Sequence, residues 1–307
     1  MFRNILVPLD GSPFAEGAIP LAARLAKSAQ AHLHLVLAHQ PLPVFAGVGE
    51  LAAPPVELGE ELRAQEEQYL TQTTATLLER GVANVAIHES DGLAGPELCE
   101  QAIRLHADLI VMATHGRGGI RRFWLGSVAD YLVRHLSVPV LLVHPGREGE
   151  PREDDAMGGI LVALDLSEEA EAILEPVTAL ALLTQAHVTL VHVVAPYRQT
   201  GPLAVPYPLL LEPSLVEGNR TECLQKLDAV ATRLRERGLS VSCRMLDGMS
   251  PASALLDKLG DGQFDLIALA THGAGGVRRL MLGSVADQVI RRAAKPVLVL
   301  RPSPRVF

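Results

Sequence analysis

Two stretches of this chain carry residues whose types and spacing suit the holding of an anion. In the first, ATHG at Ala113–Gly116 is followed by nine residues and then by Gly126 and Ser127, where a helical pattern begins. In the second, ATHG at Ala270–Gly273 leads after nine residues to Gly283 and Ser284. A glycine ahead of a helix lets the backbone approach an anion closely, and the first-turn N–H groups and helix dipole favour negative charge there. Phosphate is the natural occupant. Arg117, after Gly116, has the length and charge to reach it, whereas Ala274 holds the matching place in the second copy, so ligand is expected first at Gly116–Ser127. A purely local reading competes. Ser127 and Ser284 each open SVAD, and a serine cap with Asp130 or Asp287 three residues on makes a capping box that needs no ligand.

Asp10 and Asp165 close the strand-like runs ILVPL and ILVAL. A carboxylate facing a triphosphate is repelled, whereas one facing a ribose accepts its hydroxyl hydrogens, so the nucleoside is expected toward these acids. Asp10 by itself also fits a bend in LDGSP. Asp165 recurs in LDLSE without the glycine, which favours a shared ligand role over bend chemistry. Ala38 and Val193, at the ends of the second strands, suit an adenine ring. Met112 and Ala113, with Ala270 in the second copy, close the fourth strands on the same crevice.

Other residues read more plainly. His115 and His272 suit loop packing, and His32 and His34 share a strand face without a third spaced ligand, so no metal site is expected. Trp124 has Met281 as its counterpart, which favours packing over base stacking, and the pairs Arg121–Arg122 and Arg278–Arg279 read as solvated helix flanks. No GxxxxGK[ST] is present, and GRGG or GAGG after a fourth strand is not the GxGxxG of a first βα unit. The crevice offers no Ser-His-Asp set or poised carboxylate pair, so any turnover of a bound nucleotide is expected to be slow.

These residues need elements to position them, and the chain builds the elements twice. Between Asp108–Val143 and Asp265–Leu300, 21 of 36 positions are identical without a gap. ILVPLDGS (Ile5–Ser12) answers ILVALDLS (Ile160–Ser167), and AHLHLVLA (Ala31–Ala38) answers AHVTLVHV (Ala186–Val193). Short apolar runs alternate with helical patterns, as in βαβ construction around a parallel sheet. In the first half, strands are expected near 3–9, 31–38, 83–89, 108–113 and 138–143, and helices near 13–29, 60–80, 95–106 and 127–136, with left-handed caps at Gly81 and Gly238. The charged stretch GREGEPREDDAMGG (Gly146–Gly159) reads as a linker. Domains are expected at 1–145 and 159–307, with 146–158 between them. The proline-rich connections near 40–59 and 195–216 read as loops.

Composition agrees with a globular chain. Its 307 residues suit two domains, with 48% hydrophobic and 20% charged residues and no low-complexity tract. A net charge of −8 argues against a duplex-DNA binder. Three cysteines without CxxC spacing, and a start, MFRNILVPLD, without a signal-like apolar core, point to the cytoplasm. Pro176–Tyr197 has no charged side chain across 22 residues, yet its pattern changes near Ala186 from helical to β-branched, so a buried helix and strand are expected in place of a membrane span.

An aspartate after the first strand, then ATHG, nine residues, GS, a helix and PVLLV or PVLVL: in both halves this resembles the universal stress protein family, over nearly the whole chain. The resemblance implies two Rossmann-like doubly wound α/β domains, each an open five-stranded parallel sheet of order 3-2-1-4-5. ATP-binding members carry glycine where Ala113 and Ala270 stand here. The resemblance implies ATP, ADP or AMP as the ligand, with magnesium accompanying it, and regulation by occupancy as the role. A nucleotide-free dimerising module is the alternative, and a slow ATPase or phosphotransferase the third reading. The resemblance also implies that fifth-strand edges pair, here between the two domains of one chain, and it allows a homodimer. Neither a nucleic acid nor a membrane is expected as a partner.

Overall fold

The computed structural model describes residues 2–39, 56–114, 125–144, 157–194, 213–271 and 282–302, at 56–58 and 213–219 through the backbone alone. The chain divides into two compact units, Met1–Asp155 and Ala156–Phe307.

The first unit runs β1 (Asn4–Leu9), α1 (Pro13–Glu16), α2 (Ile19–Ala29), β2 (His32–His39), α3 (Val56–Glu79), β3 (Val85–Asp91), α4 (Ala94–Arg104), β4 (Leu109–Ala113), α5 (Ser127–His135), β5 (Val140–Val143). Its strands pair in parallel in the order β3-β2-β1-β4-β5. The second unit repeats this with β6 (Gly159–Ala163), α6 (Glu168–Glu171), α7 (Leu174–Thr184), β7 (His187–Val194), α8 (Pro213–Glu236), β8 (Val241–Asp247), α9 (Pro251–Gly260), β9 (Leu266–Ala270), α10 (Ser284–Arg292) and β10 (Val297–Leu300), in the order β8-β7-β6-β9-β10.

The central strands are continuous apolar runs because helices cover both faces of a parallel sheet. Ile5, Leu6 and Val7 of β1, like Ile160, Leu161 and Val162 of β6, are fully buried. Gly81 and Gly238 end the long helices at φ 84° and 89°, as their RG endings predict. The helix expected over 13–29 is divided. Ser12 caps α1 by accepting a bond from Ala15 N, α1 stops at Gly17, and α2 starts afresh with Pro20 in its first turn, where the missing N–H is tolerated. The uncharged stretch after Pro176 forms most of α7 and then β7. Among the described residues no helix is long and apolar enough to cross a membrane.

Side-chain pairs fix which way each strand residue faces. His39 and Asp91 are register partners, and both bond α3, through Glu66 and Arg63. The alternate residues therefore face the other way. Asn4, His34 and His88 join hands there: His34 Nδ1 lies 3.0 Å from His88 Nε2, and His34 Nε2 lies 3.3 Å from Asn4 Oδ1. Right-handed crossovers put α2 and α3 over one face and α4 and α5 over the other. Gly95 of α4 lets Tyr131 of α5 approach so closely that an added Cβ would lie 2.8 Å from its ring.

Candidate functional site

The carboxyl ends of the strands meet the start of α5 in one unit and of α10 in the other. Helix α5 is capped by Gly126 at φ −58° and ψ 149°, with no side-chain cap, and α10 by Gly283 at φ −59° and ψ 145°, again with none. This corrects the capping-box expectation. Ser127 and Ser284 are the first helical residues rather than caps, and the two aspartates turn down the helix. Asp130 accepts from Arg134 Nε at 2.7 Å and Nη2 at 2.9 Å, and Asp287 from Arg291 Nε at 2.8 Å. An i,i+4 ion pair outcompetes a cap that serine is one residue too late to lead.

Both glycines anchor their helices through the backbone, and Gly283 has a packing reason as well. Gly126 N donates to Thr114 O at 2.7 Å and Gly283 N to Thr271 O at 2.9 Å, which pins each helix start to the end of the fourth strand. A Cβ at Gly283 would lie 2.8 Å from Thr271 O. Gly116, Arg117 and Gly273, with His115, His272, Ala274, Trp124, Met281 and the arginine pairs at 121–122 and 278–279, lie outside the described residues.

The two acids occupy one geometry. Asp10 Oδ1 accepts from Ser12 N at 2.9 Å and from the Ser12 hydroxyl, which in turn accepts from Ala15 N at 3.2 Å. Asp165 Oδ1 accepts from Ser167 N at 3.0 Å and from the Ser167 hydroxyl, which accepts from Ala170 N at 3.2 Å. Gly11 takes φ 74°, and Leu166 takes φ 67° in the same place. The bend therefore forms without glycine, and the contrast between LDGS and LDLS no longer separates ligand contact from turn chemistry. Each acid locks a turn, and that turn fixes its carboxylate at the end of the central strand. Near Asp10, the Tyr69 phenol is held well above its usual pKa by burial and by the carboxylates of Glu16 and Asp10, so it stays protonated.

Register aligns the remaining candidates. Leu9 pairs with Leu37, so Asp10 falls level with Ala38, which pairs with Ser90. Leu6 pairs with Ile110, which brings Met112 and Thr114 to the same face as Asp10. Continued one residue past the ends of β1 and β4, the register sets Ser90, Ala38, Asp10 and Thr114 level in one row. In the second unit Val193 pairs with Leu246, and Ala163 pairs with both Val191 and Leu269, which aligns Leu246, Val193, Asp165 and Thr271. Ala113 and Ala270 alternate to the opposite face. Both sit in regular parallel ladders, opposite Val143 and Leu300, and neither has a positive φ. Alanine here demands no glycine-like backbone and turns its methyl away from the row.

Several interactions at this end escape a reading by motif. His39 Nδ1 lies 2.7 Å from Glu66 Oε2, and Arg63 pairs with Asp91 at 2.7 Å, so α3 is tied to the ends of β2 and β3. Burial, then Glu67 and Glu66, raise the pKa of Glu89 beside them. The second unit repeats one tie, Arg220 to Asp247 at 2.6 Å, while Val194 and Cys223 stand at the places of His39 and Glu66. Arginine and aspartate at matching places in both halves are the available sequence signal. Among the described residues no group of three His, Cys, Asp or Glu gathers to hold a metal ion.

Known proteins share this architecture. The model of the universal stress protein family matches residues 1–144 and again 157–301. A universal stress protein of Methanocaldococcus jannaschii is 31% identical over 143 residues, covering 47% of this chain and 82% of its own. One from Mycolicibacterium smegmatis is 25% identical over 308 residues, covering 97% of each chain. The crystal structure of a universal stress protein from Archaeoglobus fulgidus shares the fold at 20% identity, with a TM-score of 0.69 and 98% of both chains covered. Two successive matches to one family model, on two units that repeat one parallel sheet, make this chain a tandem two-domain member of the universal stress protein family.

Proposed function

We propose that the chain is a cytoplasmic stress-response protein that binds an adenine nucleotide, and that occupancy biases its conformation or its binding of partners. One observation carries the reading: α5 and α10 both begin on a glycine with no side-chain cap, and the aspartates that had the chance to cap them pair with arginines instead. Helix starts of this kind favour phosphate through their amides and dipole. ATP, ADP or AMP would set its phosphates at Gly126–Ser127 or Gly283–Ser284, with Gly116, Arg117 and Gly273 contributing from the residues before them in sequence. The ribose would lie toward Asp10 or Asp165, and the base over Ala38 or Val193, with Met112 beneath the first site. Magnesium would arrive on the phosphates. The first unit would bind more tightly because Arg117 has no basic counterpart at Ala274.

Residues 1–145 and 159–307 would be the two modules, with 146–158 as the linker. Each fifth strand lies at the edge of its own unit's sheet, and we propose that β5 and β10 cover one another. Disulfide formation between cysteines placed on β5 and β10 would support this pairing.

Isothermal titration of the full chain with ATP, ADP and AMP tests the main reading. Binding of at least one at millimolar concentration or below is expected, and no heat with any of the three would end it. The turn locks at Asp10 and Asp165 favour a second reading, a nucleotide-free interaction module, because they give both acids a role without ligand. Nucleotide released from the purified protein on denaturation would exclude that alternative. A slow ATPase or phosphotransferase would require phosphate release that disappears in Gly116 or Gly126 variants.

A further inference from the structure

Within the row at the carboxyl end of the first sheet, Ser90 stands beside Ala38, one strand farther from Asp10. Its Oγ is sealed from solvent and has no hydrogen-bond partner among the described residues. A buried hydroxyl left unbonded costs about 1–3 kcal/mol, so such a group calls for a partner. The face is the one covered by α4 and α5, because Ser90 alternates with Asp91, which bonds α3 on the other side. It is therefore also the face on which α5 starts.

The second unit supplies the contrast. Along the two rows the acid and threonine are the same, Asp10 with Thr114 and Asp165 with Thr271, and Ala38 is matched by apolar Val193. Only the outermost place changes in kind: Ser90 in the first row is Leu246 in the second. A leucine closes that end of the row with hydrocarbon. A serine closes it with a group that can donate and accept.

We propose that Ser90 reads the base in the first unit: its hydroxyl bonds the polar edge of the purine seated over Ala38, while Leu246 leaves the second site without that bond. This rests on the nucleotide reading above and extends it from phosphate and ribose to the base. A hydroxyl that finds its partner only in the ligand leaves a signature of opposite signs. In the absence of nucleotide, Ser90→Ala removes an unsatisfied buried group, so the melting temperature holds or rises. In its presence, affinity falls about three- to tenfold, the usual worth of one neutral hydrogen bond.

The test is calorimetric titration of ATP into the full chain, its Ser90→Ala and Ser90→Thr variants, and Leu246→Ser, with melting curves recorded without ligand. Weaker ATP binding at one site in Ser90→Ala, retention in Ser90→Thr, and a melting temperature no lower than that of the parent would establish the inference. ATP binding by the parent with unchanged affinity in Ser90→Ala would overturn it and leave the nucleotide reading standing. A Ser90→Ala protein that melts earlier would also overturn it, by showing that the hydroxyl already serves the fold. Absence of ATP binding by the parent would remove both.

Discussion

Asp130 grips Arg134 one turn along α5 with both carboxylate oxygens, at 2.7 and 2.9 Å, and so does not cap the helix it helps to begin. The same diversion, Asp287 to Arg291, opens the second unit's helix. What the helix start gains in availability, it gives up in self-sufficiency.

Replacing Asp130 by alanine should therefore cost only what a partly exposed i,i+4 pair is worth, about 0.3–0.5 kcal/mol. Loss of a genuine capping box would cost about 1 kcal/mol or more. Urea denaturation of the single variants Asp130→Ala and Arg134→Ala and of the double variant measures the pair directly, and a coupling well above 1 kcal/mol would contradict this assignment.

Ser127 is exposed at the first helical position, so Ser127→Asp should separate stability from ligand binding. A carboxylate there suits the helix dipole, and stability should hold or rise by up to about 1 kcal/mol. The same charge repels phosphate, so calorimetry should lose the first site. Ser284→Asp should do the same to the second.

Gly283→Ala places a methyl group 2.8 Å from Thr271 O, a backbone atom that cannot swing aside. It should destabilise the second unit by about 1–3 kcal/mol and displace the start of α10. Gly59, inside α3 with nothing within 4 Å of its added Cβ, is the control. Gly59→Ala should stabilise by about 0.5–1 kcal/mol through helix propensity.

The histidine chain on the first sheet predicts a pH dependence. Burial, then the neighbouring His88 and His32, lower the pKa of His34 from 6.5 to about 4. As pH falls from 6.5 towards 4, the unfolded chain takes up this proton while the folded one does not, so the group withdraws stability throughout that window. Below about pH 4 both states are protonated and its effect levels off. His34→Gln should consequently lose less melting temperature between pH 6.5 and 4 than the parent does, and parallel curves for the two proteins would refute the assignment.

Much of this molecule could be read along the chain. Periodic apolar runs place the strands within one or two residues, because a strand buried on both faces has little choice of side chain. Gly81 and Gly238 mark helix ends because a left-handed cap favours glycine. Other left-handed positions carry no glycine to mark them: Gln30 and Gln185 end α2 and α7 at φ 53° and 58°, and Leu166 bends the chain at φ 67°. The division between α1 and α2 falls at Gly17, just ahead of Pro20, residue types that interrupt a helix.

The candidate site divides along similar lines. The order of residues is enough to count two copies of one fold and to single out Asp10, Asp165 and the glycines before each helix, because duplication repeats residue types at fixed spacing. Folding in three dimensions sets how those residues are used: Ser127 follows the cap instead of forming it, both acids lock turns, Ala113 alternates away from the row, and Ser90 stands beside Ala38. The reason is that register between strands and competition among nearby partners set direction, and neither is written in the order of residues along a single segment.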